Sequence, residues 1–271
     1  MDWIWGLVGS LLIAGAACWR GSLSVSGLIA AVVLGTFMFV FGSLAWFGTL
    51  IAFFVSSSLL SKLKHQRKAA AESGYAKGGR RDAGQVAANG GLGLVLCIGN
   101  AIWPDPVWWV LFVGVMATVT ADTWATEIGG MSASVPRSIL SGRRVAAGTS
   151  GGITALGLLA SVAGGAFIGW IGGWFIAMGE QESVISTRSA FIALGAISGL
   201  LGSLADSLLG ATLQVMYRCE ACGKTIEKET HCGHNAKQIR GMKFMTNDRV
   251  NALSSLVGGI LCWVLWHMAS G

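Results

Sequence analysis

Three carboxylates sit where an apolar sequence least accommodates charge. Asp122 and Glu127 fall in the run TVTADTWATEIGG, and Asp206 falls in GLLGSLADSLLGATLQ. An ionisable group in hydrocarbon is costly unless it reaches water, a partner or a cation. Further polar side chains accompany them: Asp82, Gln85 and Asn89 in RDAGQVAANGG, and Asn247, Asp248 and Asn251 in TNDRVNALSS. Gln85 and Asn89 are four residues apart, as are Asn247 and Asn251, so each pair shares one face of a helix. Such amides also act as glue between membrane helices. That reading covers any one of them better than it covers a set drawn from four apolar runs.

A Gly-rich turn supplies the complementary half of a phosphate site. Arg143 and Arg144 precede Gly148, Thr149, Ser150, Gly151 and Gly152, ahead of a long apolar run. A turn of this kind offers backbone N–H groups and the positive end of a helix to an anion. Taken alone, it is equally a flexible helix start. Mg²⁺ takes one or two carboxylates plus phosphate oxygens. Arginine, lysine and backbone N–H groups then balance the rest of the phosphate charge. Together these residues suit a lipid phosphate enzyme at a membrane face, without separating phosphoryl transfer from nucleotidyl transfer.

The third cluster is Cys219-x-x-Cys222 followed by His231-Cys232-Gly-His234. Tetrahedral zinc is satisfied by thiolates and imidazole. Cys219, Cys222, Cys232 and either His231 or His234 complete a structural knuckle; free reduced thiols or a redox pair are the other readings. Cys18, Cys97 and Cys262 lie in apolar runs and read as packed hydrophobes. His65 and His267 read as interfacial residues.

The elements that must position these groups follow from composition. Hydrophobic residues make up 53% of the 271-residue chain, charged residues only 12%, and the mean hydropathy is +0.63. A soluble domain carries roughly 25% charged residues, so the composition calls for an all-α, polytopic transmembrane bundle. Spans are expected at about 3–19, 22–41, 43–60, 85–102, 107–129, 150–178, 189–216 and 250–268, with the long Gly-rich sixth run free to tilt or break. The first run lacks a basic n-region and a cleavage motif, so it reads as a retained span. The abundant glycines let helices approach closely.

This count makes a strong test of itself. With eight spans, every one of the 19 Lys and Arg residues except Arg188 falls on one side, at residue 20 and in loops 61–84, 130–149 and 217–249. By the positive-inside rule those loops are cytoplasmic and both termini lie outside. The net charge of +6 therefore reports orientation and anionic lipid rather than nucleic acid. A single transmembrane domain, 1–271, is expected, with the 217–249 loop holding the knuckle. A prokaryotic inner membrane or a thylakoid is its expected home.

In order along the chain, GGRRDAGQVAANGG, ADTWATEIG, GTSGGITALG, GSLADSLLGATLQ and NDRVNALSS resemble the motifs of a membrane family that includes plant phytyl-phosphate kinase. The likeness runs from about Lys77 to the last span. It implies a kinase that converts an isoprenyl monophosphate to the diphosphate with a nucleoside triphosphate, CTP first, and Mg²⁺; in plants the product feeds tocopherol synthesis. Carried onto these positions, it assigns Asp122, Glu127 and Asp206 to the metal–phosphate assembly, with Asp248 or Asn247 assisting. Lys77, Arg80, Arg81 and Asp82 become contacts for nucleotide or lipid phosphate, beside Gln85, Asn89 and Asn251. Gly148, Thr149, Ser150 and Gly151 become a phosphate cradle. The Cys/His loop departs from the plant members, which favours a structural role for its zinc. A lipid cytidylyltransferase is the nearest alternative, and a secondary transporter for a lipid or anion the alternative of a different class.

Overall fold

The computed structural model describes residues 1–63, 68–69, 74–179 and 188–270. Part of the first basic loop, His65 included, lies outside them. Eight α-helices are present among the described residues: α1 Asp2–Trp19, α2 Val25–Phe41, α3 Leu44–Ser61, α4 Ala83–Ile102, α5 Pro106–Gly129, α6 Ala155–Ala177, α7 Arg188–Thr212 and α8 Asn247–Ser270. Seven are long and apolar enough to cross a membrane, and α2 is a 17-residue apolar helix. The protein is a polytopic helix bundle.

Polar residues between the apolar runs decide where several helices begin. Ser24, Ser43, Asp105 and Thr154 each accept a hydrogen bond from a first-turn N–H of α2, α3, α5 and α6. Asp82 closes a full capping box with Gln85 at the start of α4. Each such cap satisfies a helix-end donor that has no intrahelical partner.

α5 is the centre of the bundle. Its residues from Phe112 to Ala121 are all buried, and α3, α4, α6, α7 and α8 pack around it. α6 and α7 meet through glycines: a Cβ on Gly165 would stand 2.3 Å from the Gly195 carbonyl oxygen, and one on Gly169 would stand 2.1 Å from that of Phe191. Only hydrogen at these positions permits so close an approach, which apolar lipid does not otherwise drive. As α5, α7 and α8 pack on one another, Asp122, Asp206 and Asn251 arrive at the same end of the bundle.

The long connections, 62–82, 130–154 and 213–246, all emerge at that end. Two of them carry β structure that the apolar pattern does not announce. In the second, β1 (Arg137–Ser138) pairs antiparallel with β2 (Gly152–Ile153). The sixth run therefore begins its helix at Ala155, with its Gly-rich start folded as a hairpin arm. In the third, β3 (Met216–Arg218) lies between β4 (Thr225–Ile226) and β7 (Lys237–Arg240), with a hairpin of β5 (Thr230–His231) and β6 (His234–Asn235) beside them. This strand ends the seventh run at Thr212, short of residue 216. Val215, Tyr217, Cys219 and Ile226 form its small separate core.

Candidate active site

A cavity of about 750 Å³ opens where these three connections meet the ends of α4, α5, α7 and α8. That volume lies within the range of small-molecule sites. Lys77, Arg81, Gln85, Asn89, Asp122, Glu127, Gly148, Thr149, Ser150, Gly151, Asp206, Asn247, Asp248 and Asn251 all line it. Arg80 and Asp82 do not. Residues spread over most of the sequence thus converge on one end of the membrane bundle.

Asp122 and Asp206 form the acidic centre. Ser203 Oγ, itself hydrogen-bonded to Ser161 at 3.3 Å, donates to Asp122 Oδ1 at 3.3 Å. Ser254 Oγ donates to Asp206 Oδ2 at 2.8 Å. With its amide nitrogen turned inward, Asn251 donates to the same oxygen at 3.1 Å. The two carboxylates are near enough to repel one another. Neither has an ion-pair partner among the described residues. Two mutually repelling, hydrogen-bonded carboxylates beside a cavity fit a hard divalent cation, and Mg²⁺ needs no more protein ligands than that.

Glu127 stands apart from this pair. Its carboxylate meets Lys68 Nζ at 2.5 Å and accepts a short hydrogen bond from Ser61. Lys68 also donates to the carbonyls of Leu60 at 3.2 Å, Ser61 at 3.0 Å and Leu63 at 3.3 Å. The cation therefore closes the C-terminal end of α3, where the helix dipole favours positive charge. Glu127 lines the cavity as one half of a buried ion pair, whereas Asp122 and Asp206 have none among the described residues.

The first basic motif divides in the same way. Lys77 Nζ bridges Asp248 at 2.5 Å and Asp82 at 3.0 Å, tying the loop before α4 to the first turn of α8. Burial alone would lower the Lys77 pKa, but the hydrogen bonds it donates to Asp248 and Asp82 raise it above its ordinary value. Burial pushes Asp82 up, and the Gln85 N–H and Lys77 outweigh it and hold the carboxyl below its ordinary value. Asp82 and Asp248 are thus occupied by Lys77, and Asp82 also by the cap of α4. Arg81 is buried, donates to Ser58 Oγ at 2.9 Å and lies over the rings of Phe53 and Phe54 at 5.8 and 5.7 Å.

The Gly-rich turn is shaped by Gly148 and Gly151, at φ of 80° and 83°. A Cβ on Gly151 would come within 2.4 Å of Ala211 Cβ, so the turn presses against the end of α7. Ser150 Oγ donates to Gln214 Oε1 at 3.0 Å, and Gln214 Nε2 donates to Glu227 Oε1 at 2.8 Å. The Ala76 N–H completes the chain on Glu227 Oε2 at 3.0 Å. Burial raises the Glu227 pKa, partly opposed by the donors from Ala76 and Gln214. Motif reading missed Lys68, Gln214 and Glu227. Lys68 and Glu227 sit in hydrophilic loops where charge is ordinary, and no spacing rule links them to residues far away in sequence.

Outside the cavity, the ligand atoms of Cys219, Cys222, His231 and Cys232 lie within 4.8 Å of one another. His231 Nδ1 is 3.1 Å from Cys232 Sγ and 3.4 Å from Cys222 Sγ. His234 sits across the β5–β6 hairpin, exposed and outside that group.

Comparison with known proteins agrees with the bundle. Protein PGR of Arabidopsis thaliana is 33% identical over 95% of this chain and 94% of its own length. An uncharacterized membrane protein of Methanocaldococcus jannaschii is 27% identical over 93% and 87%. Protein VTE6, chloroplastic, also of Arabidopsis thaliana, is 25% identical over 93% and 67%. No solved structure matches the chain. Residues 8–259 match the family model described as integral membrane protein DUF92, and the chain belongs to that family.

Proposed function

We propose that this protein is a membrane isoprenyl-monophosphate kinase, which transfers the terminal phosphoryl group of a nucleoside triphosphate to a lipid monophosphate. The observation that carries this reading is the pairing of Asp122 and Asp206, free of any ion-pair partner among the described residues, in a cavity that also receives Arg81 and the Gly148–Gly151 turn. Carboxylates for a cation and N–H donors for phosphate are the two complementary halves of a phosphoryl-transfer site. The motif likeness to a family that includes plant phytyl-phosphate kinase supports an isoprenyl acceptor, in keeping with the alignment to Protein VTE6; CTP as donor is what that motif likeness implies.

In the reaction, an oxygen of the lipid phosphate forms a bond to the γ-phosphorus. The bond from that phosphorus to the β-bridging oxygen breaks, and a nucleoside diphosphate leaves. The acceptor is already anionic near neutral pH, so no general base is required. When bound, Mg²⁺ supplies charge neutralisation for the phosphates. Ser203, Ser254 and Asn251 orient the carboxylates of Asp122 and Asp206, while the 148–151 turn, whose Thr149 N–H is taken by the Ala146 carbonyl, would meet phosphate with the N–H groups of Gly148, Ser150 and Gly151. A smaller apolar cleft among α1, α2, α3 and α4, lined by Leu34, Leu50 and Phe53, shares Arg81, Gln85 and Asn89 with the cavity. It offers the first carbons of a prenyl tail an apolar path beside the phosphate. The placement at one end of the bundle favours an enzyme over a transporter, whose sites lie near the midplane. The basic loops make that end cytoplasmic.

The test is turnover of phytyl monophosphate by purified protein with Mg²⁺ and each nucleoside triphosphate. Equal amounts of phytyl diphosphate and nucleoside diphosphate are expected. Release of pyrophosphate with a nucleotidyl-lipid would instead make the enzyme a cytidylyltransferase.

A further inference from the structure

We propose that Cys219, Cys222, His231 and Cys232 bind one Zn²⁺, and that this ion holds the outer wall of the cavity in place. The first half rests on donor chemistry and geometry alone. Three thiols and an imidazole are a soft, closed ligand set that selects zinc over the oxygen-seeking Mg²⁺ or Ca²⁺. Ordinary zinc bond lengths at a tetrahedral centre put nitrogen and sulfur ligands roughly 3.5 Å apart. The His231 Nδ1 separations from Cys232 and Cys222, 3.1 and 3.4 Å, are close to this. Both ligand pairs sit on tight turns: Gly223 at φ 72° follows Cys222, and Cys232 itself adopts φ 53° before Gly233 at 78°. A non-glycine residue in that region carries backbone strain that the surrounding structure must sustain. Among the described residues no cysteine is in a disulfide.

The second half follows from what the knuckle touches. Its core is only Val215, Tyr217, Cys219 and Ile226 with Ala236 alongside, far too little apolar surface to fold on its own. Strand β4 runs directly into Glu227, whose carboxylate holds the Ala76 N–H and, through Gln214, the hydroxyl of Ser150. A single path thus links the four ligands to the loop before α4 and to the Gly-rich turn. Calling that wall part of an active site rests on the kinase reading; the metal site and its effect on the wall do not.

The experiment uses the full-length protein in detergent, with metal content measured by mass spectrometry. One zinc per chain is expected in the wild type and in His234→Ala, with loss in Cys219→Ser and in His231→Ala. Wild-type protein from zinc-supplemented cells that carries no zinc, or full zinc in both ligand variants, would overturn the site. Should the variants fail to fold, Co²⁺ added to chelator-stripped wild type serves instead: tetrahedral thiolate bands are expected, and an octahedral spectrum overturns the assignment. Hydrogen exchange then tests the wall. Chelation should remove protection from residues 216–240 and from the 148–152 turn together, with Zn²⁺ restoring both. Loss confined to the knuckle would overturn the positioning role, whatever the protein's activity.

Discussion

At the scale of single residues, carboxylates with similar sequence surroundings have different partners in the fold. Asp122 and Asp206 face the cavity held only by neutral donors, whereas Glu127 is neutralised by Lys68 and Asp248 by Lys77. Asp122→Asn and Asp206→Asn should each lower turnover by about 100-fold or more, as loss of a transition-state electrostatic contact does elsewhere, while protein yield and melting temperature stay near wild type. Glu127→Gln should do the reverse. Breaking one side of a buried ion pair costs about 3 kcal/mol or more, so its melting temperature should fall clearly. Replacing both partners, Lys68→Met with Glu127→Leu, should recover much of that loss. A stable Glu127→Gln protein that had lost turnover would return Glu127 to the reacting centre.

At the scale of elements, the site depends on how tightly the loop before α4 is pinned. Arg81 exchanges backbone hydrogen bonds with Ser22 and Ser24, both at 3.0 Å, and its carbonyl oxygen lies 2.1 Å from where a Gly27 Cβ would stand. Gly27→Ala should therefore destabilise the protein by about 2 kcal/mol, in the range of overpacked sites. Gly15→Ala on α1, with nothing within 4 Å, should be neutral or slightly stabilising in the same unfolding measurement. The other end of the loop is electrostatic. The raised Lys77 contributes stability that is present below its ordinary pKa of 10.5 and lost as pH climbs through the folded value. The depressed Asp82 contributes stability that is present above its ordinary 3.8 and lost as pH falls toward the folded value. Protection of residues 76–82 against hydrogen exchange, taken relative to intrinsic exchange at each pH, should accordingly stay high between those limits and fall beyond them, and Lys77→Met should flatten both edges.

These elements also show what the sequence made legible. Apolar run length located all eight helices named above, because hydrocarbon leaves the backbone no partner outside the helix itself. It misplaced the start of α6 and the end of α7, since two-residue strands such as Gly152–Ile153 are fixed by pairing with a distant partner and carry no period of their own. Gathering of Asp122, Asp206 and Asn251 at one level was readable from their common distance to the basic loops. The ion pairs that remove Glu127 and Asp248 from the free set were not, because Lys68 and Lys77 look like any positive-inside lysine until the fold brings them round. The grouping of His231, and not His234, with the three cysteines also needed the hairpin, which sets the two on facing strands.

At the scale of the whole molecule, a central helix α5, buried from Phe112 to Ala121, is the post around which the others pack. The packed α6–α7 pair and α8 complete the frame around it, and long loops on one side fold over its end. The family match extends across 8–259, most of the length of this arrangement. The most direct test of the central claim follows the γ-phosphoryl group itself. Protein reconstituted in liposomes with Mg²⁺, phytyl monophosphate and γ-³²P-labelled CTP should pass label to the lipid, and the Asp122→Asn/Asp206→Asn double variant, folded to the same extent, should not. Label absent from the lipid with wild-type protein, or passed equally by the double variant, would contradict the account.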